Sequence, residues 1–227
     1  MAKREDLLNE LLQLLEEPQQ ERRRVNYPAP FLSIDHKGNT WMLVDRNTKE
    51  THSLGKEIEI ATTQTFIQTK VFTSAGVLRA MSQIVLLSER KNMLNVITGD
   101  LWQNVEIGED DVVINSWIVP IVIKVDKDYI QAIWEIKRTS LKAMINFLQE
   151  NNLRNLNALQ MKLSLVSRRE GNVKKWSEPK VVQFKSLKEC QDDKLLAVVL
   201  EFIKAFHEFR KEFNLQAIQS NEDLSEY

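Results

Sequence analysis

The amino-acid sequence predicts a β-rich α+β fold: a curled antiparallel sheet or small barrel with one helix inserted, a long C-terminal helix and an N-terminal amphipathic helix. Three observations predict it. From Tyr27 onward, short runs of alternating apolar and polar residues recur between turn signals. One clear helical pattern falls between two of these runs, and a stripe of phenylalanines at helical spacing follows the last of them. With 227 residues, 43% hydrophobic and 28% charged, the chain has enough apolar material to bury a core in one large domain or two small ones.

Residues 1–18 form the N-terminal element. Leu7, Leu8, Leu11, Leu12, Leu14 and Leu15 recur at helical spacing and Pro18 ends the run. Leu8, Leu11, Leu12 and Leu15 are the candidate partner-binding face, toward a second copy or another protein, unless the helix folds back on the body. Residues 19–26 are a polar linker. The β-rich core spans 27–185. In it Phe31–Asp35 and Trp41–Asp45 flank the hairpin signal His36-Lys37-Gly38-Asn39. Lys56–Thr73 is long for one strand, and its apolar phase shifts between Ile58/Ile60 and Ile67/Val71, which predicts a bulge or sharp bend.

Gly76–Ser88 is mixed, helix-like first and β-like at Ile84-Val85-Leu86-Leu87. Asn92–Thr98 reads as a strand and the acidic Gly99–Asp111 as loop. Val112–Val125 is a strand in which Pro120 marks an edge or a bulge. A strand (Tyr129–Lys137), a helix (Ser140–Gln149) and a hairpin (Ala158–Val166 with Glu178–Phe184) complete the core. Ser186-Leu187-Lys188-Glu189 has the form of a capping box and opens the last helix, placed at 186–213. Its stripe Leu195, Val199, Phe202, Phe206, Phe209, Phe213 has spacings of 4, 3, 4, 3 and 4, suited to packing on the β body or to a coiled-coil-like seam. Residues 214–227 are a polar tail with acids and a terminal aromatic.

The charge is segregated. Tyr129–Lys185 carries 11 Lys/Arg against 4 Asp/Glu, a net of +7, so the rest must sum to −8 to reach the chain's −1. Attraction to a polyanion must therefore come from one part of the molecule. Cys190 is the one cysteine, which excludes an intrachain disulfide, and the first residues lack the apolar run of a signal peptide. No apolar run approaches the roughly 20 residues of a membrane helix. A cytoplasmic, non-membrane protein is expected.

Catalytic and cofactor signals are sparse. His36, His52 and His207 are dispersed and Cys190 has no CxxC companion, so no metal site is predicted. The chain has no GxxxxGK[ST], GxGxxG or GxSxG, and no cofactor is expected. One enzymatic pattern remains. Glu135-Ile136-Lys137 on a strand, with Asp110, Asp111, Asp126 and Asp128 upstream, is how the PD-(D/E)xK nucleases present carboxylates to Mg²⁺. The plainer reading puts Glu135 and Lys137 on a solvent face.

The better-supported expectation is non-catalytic binding of single-stranded DNA or RNA. Arg168, Arg169, Lys174 and Lys175 surround the hairpin turn and suit phosphates, and Trp176 suits an unpaired base. Lys162, Lys180 and Lys185 on the adjoining strands extend the patch if their faces agree. A small barrel with basic and aromatic residues on one face is the OB-like arrangement for holding a single strand. The acidic, aromatic-ended tail, with Glu222, Asp223, Glu226 and Tyr227, resembles the C-termini of bacterial and phage single-stranded-DNA-binding proteins. The strand-helix-hairpin layout after Asp126 looks like phage replication and recombination accessory proteins. The tail resemblance implies a segment that competes with DNA for the basic groove and recruits partners in replication, recombination or repair. The alternative is a structural or adaptor protein assembling through its apolar helices.

Overall fold

The sheet is organised around one long strand, β7 (Val112–Val125), whose mostly β-branched residues suit a strand with neighbours on both edges. A computed structural model describes residues 26–170 and 174–222, with side chains described for all of these except 170, 174 and 216–222. Leu8, Leu11, Leu12 and Leu15, the turn at 171–173, and Asp223, Glu226 and Tyr227 lie outside the described residues. Along one edge β7 pairs antiparallel with β8 (Asp128–Lys137). Along the other it pairs first with β4 (Glu57–Thr62) and then with β5 (Phe66–Phe72).

That shared edge accounts for the phase shift in the sequence. Thr62 pairs with Ile121 and Phe66 with Ile118, so three residues, Thr63–Thr65, face two, Val119 and Pro120. One extra residue exchanges the two faces of the strand. Pro120 sits at the interruption. Its carbonyl accepts the Thr63 N–H at 3.1 Å and the Thr63 hydroxyl at 2.8 Å, and the donor it lacks falls where the ladder is already broken.

Beyond β4 lie β9 (Leu159–Glu170) and the edge strand β10 (Lys174–Ser186); beyond β8 lie β1 (Phe31–Asp35), β2 (Thr40–Val44) and β3 (Thr51–Gly55). The short β6 (Leu78–Met81) pairs with β5. Strands β1 and β8 run parallel, through Phe31–Ile133 and Leu32–Trp134 alone, so the sheet is mixed rather than antiparallel. It is also open: the pairing order ends at β10 and at β3, and among the described residues no ladder joins them into a barrel. Gly55, at φ +83°, makes the corner that carries the chain from the end strand β3 into the central β4 without pairing the two.

Each face has its own core. On one, Trp41, Ile58, Ile60, Ile121, Trp134, Ile136, Met161 and Leu163 meet Met144, Phe147 and Leu148 of helix α1 (Arg138–Glu150). On the other, Phe31, Phe66, Ile118, Val122 and Ile133 meet the phenylalanine stripe of helix α2 (Asp193–Glu222). The stripe is thus spent on the body of the protein. No described helix is long and apolar enough to cross a membrane.

Three local expectations are corrected. Asn92–Thr98 makes isolated bridges instead of a strand, and Gly76–Ser88, ambiguous in the sequence, forms the strand β6 where it looks helix-like and a single bridge at Val85 where it looks β-like. There the amide side chains replace a ladder: Asn95 Oδ1 accepts from the Met81 and Ile97 N–H groups, Gln83 Oε1 accepts from Leu94, and Asn214 exchanges two hydrogen bonds with the Ile84 backbone. The Ser186 hydroxyl does accept from Lys188 N–H, but it opens only the 3₁₀ turn Leu187–Glu189. Asp192, whose carboxylate accepts from Leu195 N–H at 3.0 Å, caps the true start of α2, and the helix continues past 213 to Glu222.

Candidate nucleic-acid interface

Strands β9 and β10 run farther than the sequence suggests, pairing from Leu159–Ser186 out to Glu170–Lys174. The residues expected at a loop tip are therefore strand residues. Register decides which share a face, because directly opposed residues in an antiparallel pair project to the same side. Trp176 opposes Arg168, Lys180 opposes Ser164, Lys185 opposes Gln160, and Gln183 opposes Lys162.

Lys180 and Lys185 are five residues apart, which in an unbroken strand would put them on opposite faces. The ladder slips at Val182, between the Val181–Leu163 and Gln183–Lys162 pairs. That one extra residue returns Lys185 to the face of Lys180 and Lys162. Arg168 and Trp176 belong to the same face, whereas Arg169 and Lys175, opposed to each other, share the face of Ser177. The backbone of Lys174 opposes Glu170, and its side chain lies outside the described residues.

Two of the cations are already paired. Arg168 Nε donates to Glu178 at 2.8 Å, and Lys162 Nζ lies 3.0 Å from Glu57, a contact that raises the lysine's pKa. Both pairs are partly exposed, and exposed ion pairs are weak and screened by solvent, so a polyanion displaces them readily. Lys180, Lys185, Lys175 and Arg169 are exposed and make no ion pair among the described residues. Trp176 is half-buried, with a buried indole N–H that has no partner. The free edge of β10 is met by the turn between β1 and β2: Ser177 N–H donates to His36 Nδ1 at 3.1 Å.

A second charged centre was not legible in the sequence. The Glu135 carboxylate, its side chain only 5% exposed, binds Arg46 at 2.9 Å, Lys70 at 2.9 Å and Lys137 at 3.2 Å. The Arg46 guanidinium also stacks 3.5 Å from the centre of the Phe31 ring. Burial works to raise the carboxyl's pKa, but the charge and hydrogen bond of Lys70, followed by Lys137 and Arg46, outweigh it and pull the value down to about 2. Glu135 is therefore not on a solvent face. Nor do the upstream acids join it. Asp128 opens β8 at its far end, seven residues or roughly 23 Å from Glu135, with Asp126 in the turn before it and Asp128 paired to Lys194; Asp110 and Asp111 precede the start of β7, where Asp111 pairs with Arg79. Arg46 comes from 89 residues away in the chain, a distance over which sequence spacing carries no signal.

No family model matches the chain, and no curated protein or solved structure matches it.

Proposed function

We propose that the protein binds single-stranded nucleic acid, without catalysis, along the β9–β10 hairpin. The observation that carries this reading is the register of the hairpin: Arg168, Lys162 and Lys180 share one face with Trp176 by alternation, and the slip at Val182 adds Lys185 to it. An aromatic side chain beside a row of cations supplies a base platform and a backbone track. A second observation favours a polyanion. Lys175 and Arg169 stand directly opposite each other across the ladder, and like charges in that position destabilise a sheet until an anion relieves them.

The test is fluorescence anisotropy of a labelled oligo-dT over a salt series. Replacing Lys180 and Lys185 together with alanine is expected to reduce the log–log salt slope by about 1.4, the value for two phosphate contacts on a single strand. Trp176→Ala is expected to cost ~1–3 kcal/mol of binding with an unchanged slope. If both variants bind as the parent does, the hairpin is not the interface. Failure of the parent to bind at low salt removes the function itself.

A further inference from the structure

The geometry points to a separate phosphate-binding crevice at the carboxyl ends of the one parallel strand pair. This inference goes beyond the hairpin reading and does not rest on it. After Leu32 and Trp134 the two strands stop pairing. β1 turns away into the His36 hairpin while β8 passes into α1, and the wedge between them is a cavity of about 250 Å³. The crevice outside the carboxyl ends of diverging parallel strands is where open sheets admit ligands.

Its walls are cationic. Arg46, Lys137 and Arg138 line the cavity together with His36, and Glu135 is the one acid among its lining residues. One carboxylate cannot neutralise the cations gathered there: Arg46, Lys70 and Lys137 already converge on Glu135, and Arg138 makes no ion pair among the described residues. The cations are also reachable from solvent, with the side chains of Arg46 and Lys137 37% and 43% exposed. The surplus thus faces an open, walled space rather than bulk surface.

The start of α1 adds to this field. Its first turn, Arg138-Thr139-Ser140, contains no acid, and no side chain caps it. Cations at a helix N-terminus oppose the helix dipole, so the arrangement is unfavourable until an anion enters. Thr139 and Ser140 line the same cavity, and their side chains carry neutral donors beside the charged ones. Guanidinium forks with hydroxyl donors suit the tetrahedral, multiply charged oxygens of a phosphate monoester. Such a group comes either from a small phosphorylated compound or from the terminal phosphate of a nucleic-acid strand.

The test uses the full chain and inorganic phosphate, followed by ¹H–¹⁵N NMR. Phosphate is expected to produce saturable shifts of the His36 ring and the Arg46 and Arg138 Nε–H signals, which chloride at equal ionic strength does not reproduce. Arg138→Gln, at an exposed position, is expected to weaken phosphate binding about tenfold through loss of a charge-assisted contact. A second arm compares oligo-dT with and without a 5′-phosphate. Tighter binding of the phosphorylated strand, abolished by Arg138→Gln, assigns the crevice to a strand terminus; equal binding of the two, with the phosphate shifts retained, assigns it to a small phosphorylated compound. Absence of saturable phosphate shifts in the parent chain, or shifts and affinity unaltered by Arg138→Gln, overturns the site. Loss of oligo-dT binding with retained phosphate shifts would overturn the hairpin reading alone.

Discussion

Replacing Phe206 with alanine is expected to destabilise the protein by ~3–5 kcal/mol, the range for emptying a buried aromatic site. Phe206 is fully buried against the sheet face that carries Phe31, Phe66 and Ile133, with ring centres 5.3 Å from Phe66, 5.6 Å from Phe209 and 6.4 Å from Phe202. The neighbours are themselves large rings fixed by one another, and Phe66 is further pinned by Arg210, whose guanidinium lies 5.1 Å from its centre. Such a site collapses poorly when a ring is removed, so the cost falls at the upper part of the range. Thermal unfolding should move down by about 10 °C or more for a chain of this size. Leu200→Ala on the solvent side of the same helix is the control, expected within about 0.5 kcal/mol of the parent. Equal effects of the two substitutions would mean that α2 does not pack on this face.

The second large effect is expected at Glu135. Removing its charge with Glu135→Gln leaves Arg46, Lys70 and Lys137 converging on a neutral, nearly buried group, at a cost of ~3 kcal/mol at neutral pH, since Arg46 and Lys137 keep some access to solvent. The same interaction makes stability depend on pH. The carboxyl lies near 2 in the folded chain against 4.5 as its ordinary value. A depressed carboxyl stabilises above the unfolded pKa, so its contribution is full above about pH 4.5 and is lost as pH falls toward 2. The difference of about 2.5 between those values corresponds to ~3 kcal/mol at 1.36 kcal/mol each. Urea titrations of parent and variant at pH 7 and pH 3 measure this. The gap between them should narrow in acid, and a constant gap would show that Glu135 acts by packing and not by charge.

What the sequence made legible was whatever depends on neighbours along the chain. β7, β8, α1 and the β9–β10 hairpin follow from alternation and helical spacing, and the phase slip near Thr63 was visible because Ile60 and Ile67 differ in parity. The outer strands' partners were not visible, since pairing β1 in parallel with β8 leaves no local mark. The Asn92–Thr98 error has a physical cause: Asn95 and Gln83 supply from their side chains the hydrogen bonds a strand would have supplied. At the site, the candidate residues of the hairpin could be named but not sorted, because the cross-strand register sets their faces and the bulge at Val182 alone returns Lys185 to the face of Lys180. Arg46 and His36 were out of reach for the same reason as β1. Their roles exist only once distant segments meet.

That parallel contact also sets an expected order of events during folding. The β7–β8 and β9–β10 ladders join segments adjacent in the chain, whereas Phe31 and Ile133 are 102 residues apart. Closing so long a loop costs chain entropy that only two residue pairs repay locally, so it is expected late on the pathway, after the local hairpins have formed. Arg46 reaches Glu135 by that closure, and the crevice at α1 acquires its second wall in the same step. A half-folded chain therefore carries its hairpin cations but no finished pocket, and phosphate recognition there reports that the molecule is complete.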